Sequence, residues 1–233
     1  MPRNRRAPQV HKFGGASLAD STAVRRAVEI IQSHRREPTV VVVSAMAGAT
    51  DALLTVAQEA GSGDARAVSA LIDQLRTRHA ETARALLPAG RGRTGMLAAI
   101  AEVFQELEEL AQGLRRLREL TARTNDYVVA RGERLSAQLF AAALEAGGSK
   151  AQYVDAVEVI HTDAAFGHAS PDFGKTDRAA QQVLLPLVSR GIIPVVPGFL
   201  GASPAGEVAT LGRGGSDLTA TLLGRALGAS RVS

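Results

Sequence analysis

At 233 residues, with 45% hydrophobic content, the chain is long enough for one large domain or two small ones and can bury a substantial core. It has no cysteine and no tryptophan, 3% aromatic residues and a formal charge of +4. This excludes a disulfide framework, a thiolate metal site and a cysteine nucleophile, and argues against binding by base stacking. No apolar run approaches the roughly 20 residues of a membrane span or the core of a signal peptide, so a cytoplasmic protein that binds neither nucleic acid nor membrane is expected.

Of the 27 basic residues only Lys12, Lys150 and Lys175 are lysines. The positive charges are spread along helical stretches, apart from an arginine-rich tip at 1–6. That pattern reads as a composition bias, and it is also compatible with a cationic cleft for acidic, phosphorylated ligands.

In chain order, 9–13 reads as a short strand ending in Gly14-Gly15. The spacing of Val24, Ala27, Ile30 and Ile31 predicts a helix over 17–33. The β-branched run 39–43 suits a strand buried on both faces. A small-residue loop, 45–50, then leads into a helix over 51–60. A turn at 61–64 opens a helical segment, 62–124, with helices at 65–87 and 96–120 separated by a break at 88–95. Leu97, Ile100, Phe104, Leu107, Leu110, Leu114 and Leu117 form an apolar stripe on the second. That stripe fits packing on its own domain, and a partner helix or a second copy is the alternative.

A further helix is expected over 125–147, then short strands at 150–154 and 157–161. A helix over 176–190 should be bent or shortened by Pro186. Strand 192–196 precedes a hairpin or loop over 197–210. A final helix starts at Thr219 and ends near Gly228, and 230–233 begins a further strand. Strands alternating with helices, several apolar throughout, imply an α/β sheet with helices on both faces. Ligands in such sheets sit outside the carboxyl ends of the strands. The turns at 14, 44 and 212 all fall at strand ends.

Four constellations carry chemistry. In Gly212-Arg213-Gly214-Gly215-Ser216-Asp217, glycines admit a close ligand and the first amides of the following helix face the turn. Arg213 offers a planar fork to a carboxylate, and Ser216 or Asp217 can cap the helix. In Lys12-Phe13-Gly14-Gly15-Ala16-Ser17, an ammonium at a strand end precedes exposed backbone amides, a cradle for phosphate oxygens that lacks the P-loop spacing. Ser44 to Thr50 offers two hydroxyls and room for a ligand, or is a plain loop with Thr50 as N-cap. In Arg131-Gly132-Glu133-Arg134, Glu133 is either part of a surface charge cluster or the holder of a substrate ammonium. Together Lys12, Arg213, Asp217 and Glu133 suit phosphoryl transfer to an anionic acceptor, a reaction that needs mainly alignment and charge neutralisation. Asp217 could steer Lys12 or a magnesium ion.

These motifs, with Phe166-Gly167, Pro197-Gly198-Phe199 and the closing run Leu211 to Ala220, resemble the catalytic domain of aspartate kinases, in the amino acid kinase superfamily. They follow the family's order over nearly the whole chain. The resemblance implies a three-layer α/β/α sandwich with a mainly parallel central sheet, occupying residues 1–233. It implies transfer of the γ-phosphoryl group of ATP, with magnesium, to the β-carboxylate of L-aspartate, the first step towards lysine, threonine and methionine. By motif, Lys12 and Asp217 would be catalytic. Lys12, Gly14, Gly15, Ser17 and Ser44 would serve the nucleotide, and Thr50, Glu133, Arg213, Gly215 and Ser216 the aspartate. Family members usually self-associate, so a homo-oligomer is implied for the full-length protein.

Ala16 and Leu218 stand where the family often has threonine and tyrosine. The family's nucleotide-holding Trp-x-Asp-Val-x-Gly segment and its regulatory ACT domains have no counterpart here. The chain therefore reads as C-terminally truncated, and a non-catalytic aspartate-binding or partner-binding module, or another kinase of the superfamily, is the alternative.

Overall fold

The computed structural model describes residues 7–34, 37–62 and 64–233; the arginine-rich tip 1–6 and Gly63 of the expected turn lie outside the described residues. Five parallel strands form the central sheet. They are β1 (Gln9–Phe13), β2 (Thr39–Val43), β3 (Ala151–Tyr153), β4 (Ile193–Pro197) and β7 (Arg231–Val232), in the order β3-β4-β2-β1-β7. β5 (Leu200–Ala202) and β6 (Val208–Thr210) pair as a separate antiparallel hairpin. β2 sits mid-sheet with all its residues buried, as its valines require: each face must meet an apolar layer.

The pleat sorts those valines. Val41 and Val43 face a core built with α1 (Ser21–Ser33), α2 (Ala49–Ser62), α3 (Ala65–Leu86), α4 (Arg91–Leu117) and α5 (Ala122–Ala146). Val40 and Val42 face a second core built with α6 (Phe173–Ser189), α7 (Gly215–Ala226) and the hairpin. The result is the expected sandwich, helices on both sides of a parallel sheet. On α4, Ile100, Phe104, Leu107 and Leu114 are buried in the first core and only Leu117, 76% exposed, stands out. The stripe is therefore spent within the domain.

Several boundaries differ from the sequence expectation. α1 begins at Ser21, because Asp20 caps it by accepting from the Ala23 amide at 2.8 Å; the residues before it form a 3-10 turn, Gly15–Leu18. The break between α3 and α4 is only 87–90, and α4 starts at Arg91, before Gly95. Residues 157–161 do not form a strand. A 3-10 turn, Ala156–Glu158, closes there through a capping box between Asp155 and Glu158, leaving His161 a single bridge to Ala202. α6 is longer than expected, starting at Phe173 under an Asp172 cap, and it carries Pro186 within its last turns. α7 begins at Gly215, four residues before Thr219.

Candidate active site

Because β1, β2 and β4 are parallel neighbours, their carboxyl ends open on one edge of the sheet. The Ser44 amide donates to the Phe13 carbonyl at 3.0 Å, and the Gly198 amide to that of Val43 at 2.8 Å, so the three exit loops leave side by side. The turn after β6 joins them. Gly212 and Gly214 take φ of 73° and 77°, a left-handed geometry that glycine adopts without the Cβ penalty. It folds the turn so that Arg213 and Asp217 stand on the same cleft as Lys12.

That cleft has a volume of about 550 Å³ and is lined by Lys12, Ser44, Thr50, Glu133, Arg213, Gly215, Ser216 and Asp217, with Asp126 and Phe199 among the others. The size suits a small charged ligand. Gly14, Gly15 and Ser17 are not among its lining residues. Gly14 lies beside the Lys12 ammonium, Gly15 packs on the Ala45–Ala47 backbone, and Ser17 is exposed on the 3-10 turn.

The electrostatics are asymmetric. Lys12 Nζ pairs with Asp217 Oδ1 at 2.7 Å, the lysine side chain 22% exposed and the aspartate 72%. Arg213 is exposed and, among the described residues, forms no ion pair. Glu133 projects from α5 into a tight contact. Its neighbour Gly132 comes so close to Ala45 and Leu53 that a Cβ would lie 3.2 Å and 3.1 Å from their side chains. Glu133 is 3% exposed. Its Oε1 accepts from Thr50 Oγ1 at 3.3 Å, and its Oε2 is buried with no hydrogen-bond partner among the described residues. Burial pushes its carboxyl up to about 7; the Thr50 hydroxyl and nearby backbone amides pull the other way, but less.

Three alternatives are settled by this geometry. Glu133 is not part of a surface charge cluster: Arg131 pairs with Glu106 at 3.0 Å and Arg134 with Asp155 at 2.9 Å. Successive helical positions point different ways, so the three side chains part company. Thr50 is not an N-cap, since α2 begins at Ala49 and its hydroxyl turns to Glu133. Neither Ser216 nor Asp217 caps α7, whose N-cap is Gly214 with no side-chain bond. The amides of Gly215 and Asp217 are spent on the Gly212 and Gly214 carbonyls, each at 3.0 Å. The turn therefore offers fewer free N–H groups than its sequence suggests.

Asp126 belongs to no motif in the sequence, and Phe199 enters only through the Pro197-Gly198-Phe199 run, with no role given to it. Asp126, fully buried in the second turn of α5, accepts from the Gly167 amide, the Thr210 amide and the Thr210 hydroxyl, each at 2.8 Å. It ties the 166–167 turn and the end of β6 to α5, just ahead of Arg213. Only its place two turns before Glu133 could have hinted at this. Asp126→Ala removes the shared acceptor of three donors, the two on Thr210 buried and the Gly167 amide partly so, an expected loss of about 3 kcal/mol, or roughly 6–12 °C in Tm for a domain of this size. Asp126→Asn should lose less, its carbonyl serving the two amides and its NH2 group the hydroxyl; thermal melts of both variants check this. Phe199 lies in the cleft wall at φ 72°, a costly angle for a bulky residue. Its amide donates to Thr219 Oγ1 at 3.0 Å, and its carbonyl accepts from the Leu211 amide at 2.8 Å.

Among the described residues no group of three or more His, Asp and Glu could hold a metal ion. A divalent ion here would rest mainly on phosphate oxygens with one carboxylate from the chain, Asp217, which fits magnesium's habit of keeping waters and phosphate ligands.

The profile of the amino acid kinase family matches residues 8–233. The chain is 37% identical over 228 residues to aspartokinase 3 of Arabidopsis thaliana chloroplasts, covering 96% of this chain and 39% of that protein. It is 35% identical over 229 residues to the lysine-sensitive aspartokinase 3 of Escherichia coli, covering 96% and 47%. The structure superposes on E. coli aspartokinase III, solved with aspartate and ADP, at a TM-score of 0.87 and 32% identity, covering 96% of this chain and 48% of that one. The chain thus spans less than half the length of these relatives.

Proposed function

The chain belongs to the amino acid kinase family, and from that premise we propose that residues 8–233 carry the acceptor side of an aspartate kinase. The observation that carries this reading is the meeting of Lys12, Asp217, Arg213 and Glu133 around one cleft. It is supported by likeness to an aspartokinase solved with aspartate and ADP.

In this reading Arg213 grips the α-carboxylate of L-aspartate through its fork of donors. Glu133 takes the ammonium, which supplies a partner for its orphaned Oε2. Thr50 and Ser216 add hydroxyls, and Ser44 lines the middle of the cleft. The β-carboxylate is left facing Lys12. One of its oxygens attacks the γ-phosphorus of ATP; the O–P bond to the acceptor forms as the bond to the β–γ bridging oxygen breaks, and ADP leaves. The acceptor is already ionised at neutral pH, so no general base is required, and none of the histidines lines the cleft. Lys12 neutralises charge on the phosphoryl oxygens in flight, and Asp217 fixes where its ammonium points. Gly14, next to that ammonium, would meet phosphate oxygens in this reading. Magnesium bound with the nucleotide would screen the phosphate charge.

Arg213→Ala tests the acceptor assignment. It is expected to raise KM for aspartate about 10- to 100-fold, the worth of a charged bidentate contact, with a smaller change in kcat. Steady-state ADP release and calorimetry with aspartate read both. An unchanged affinity for aspartate, or equal turnover with glutamate or acetylglutamate as acceptor, contradicts the reading.

A further inference from the structure

The loops leaving β1 and β2 do not merely lie side by side; they touch. A Cβ on Gly15 would fall 3.3 Å from the Ala45 carbonyl oxygen and 3.5 Å from the Ala47 Cα. Lys12, at the end of β1, leads into one loop through Gly14, and the other loop runs from Ser44 to Thr50 at the start of α2, so their relative placement sets the distance between phosphate and acceptor. Small side chains on both sides leave little to lock them together.

A cation from outside the cleft spans the joint. Arg78, half-buried on α3, donates from Nη1 to the Ala47 carbonyl at 2.6 Å and from Nη2 to the Ala19 carbonyl at 2.7 Å. Ala19 closes the 3-10 turn after Gly15, and Ala47 lies between Ser44 and Thr50. The guanidinium is rigid and planar, so its two donors hold the two carbonyls at a fixed spacing. α3 is itself braced by α2 and α4, through Val68, Ile72 and Leu75 in the first core. We propose that Arg78 is a positioning residue that clamps the β1 and β2 exit loops together, so that the helical segment holds the phosphate side of the cleft in register with the acceptor side. The effect on catalysis rests on the kinase reading above; the clamp itself does not.

The test compares Arg78→Ala and Arg78→Lys with wild type in the full-length protein, by hydrogen exchange and by steady-state kinetics. Expected is faster amide exchange confined to 14–19 and 44–50. Expected too is a kcat lower by about 10- to 100-fold, as for a reacting group displaced by around 1 Å. KM for aspartate should change less than kcat, because Arg213, Glu133 and Ser216 stand on other elements and only Thr50 of the acceptor ligands adjoins the loosened loop. Arg78→Lys keeps the charge but not the fork, so it should melt close to wild type while still losing kcat. Unchanged protection of both loops overturns the proposal, as does faster exchange with unchanged kcat, or an equal loss in kcat and aspartate affinity in Arg78→Lys. Should the wild-type protein transfer no phosphoryl group, the kinase reading falls. The exchange pattern then decides the clamp alone: faster exchange in the two loops supports it, and unchanged protection overturns it.

Discussion

Lys12→Ala is expected to lower the rate of phosphoryl transfer to aspartate by about a thousandfold while leaving the fold intact. Phosphoryl transfer leaves the enzyme little to do except align the groups and neutralise charge, and removing one preorganised donor from the charge in flight costs about 10²- to 10³-fold. Here the loss should sit at the upper end, because the other cation lining the cleft, Arg213, is committed to the acceptor in this reading. Stability should hardly change. The Lys12–Asp217 pair is largely open to solvent on the aspartate side, where such pairs contribute about 0–1 kcal/mol. Asp217→Asn should act in the same direction but less, since the ammonium stays and only its aim is lost. Single-turnover rates beside thermal melts separate the two effects; a Lys12→Ala rate near that of wild type would remove the residue from the mechanism.

Glu133→Gln should weaken aspartate binding about 30-fold, the lower end for truncating a buried charge pair. The same change should make the empty protein no less stable at pH 8. The two effects have one cause. Burial raises the Glu133 carboxyl to about 7 from an ordinary 4.5, so its neutral form is the comfortable one when no ligand is present. The stability it contributes is fully present below about 4.5 and is lost as pH rises through about 7, a difference on the order of 3 kcal/mol. Glutamine carries no such term. Binding runs the other way, because a substrate ammonium needs the ionised carboxylate. Aspartate affinity should therefore fall about tenfold from pH 8 to pH 6 in wild type and stay nearly flat in Glu133→Gln. A pH-independent affinity in wild type would show that Glu133 does not face the ammonium.

Much of this arrangement was legible in the residues. The four valines of β2 demanded a strand buried on both faces, and Lys12, Ser44 and the 212–217 turn each marked a strand end. Parallel pairing then brought those ends to one edge. What local pattern could not reveal was burial and partnership. Glu133 between two arginines looks like a surface cluster until helix geometry turns both arginines to Glu106 and Asp155. Asp126 and Arg78 act through backbone groups far away along the chain. Such contacts depend on the tertiary fold and leave no spacing to read. The start of α7 was hidden for another reason: Gly-Gly-Ser-Asp has low helix propensity, yet the turn's internal bonds begin the helix there.

In the proposed reaction one cleft presents an aspartate β-carboxylate to the γ-phosphate of ATP beside Lys12. Hydroxylamine trapping tests it most directly: the protein is incubated with ATP, magnesium, L-aspartate and hydroxylamine, and the β-hydroxamate is measured against ADP. Hydroxamate is expected to match ADP mole for mole, to depend on aspartate and to be lost in Lys12→Ala. ADP formed without hydroxamate, or hydroxamate made equally well by Lys12→Ala, would contradict the proposed reaction.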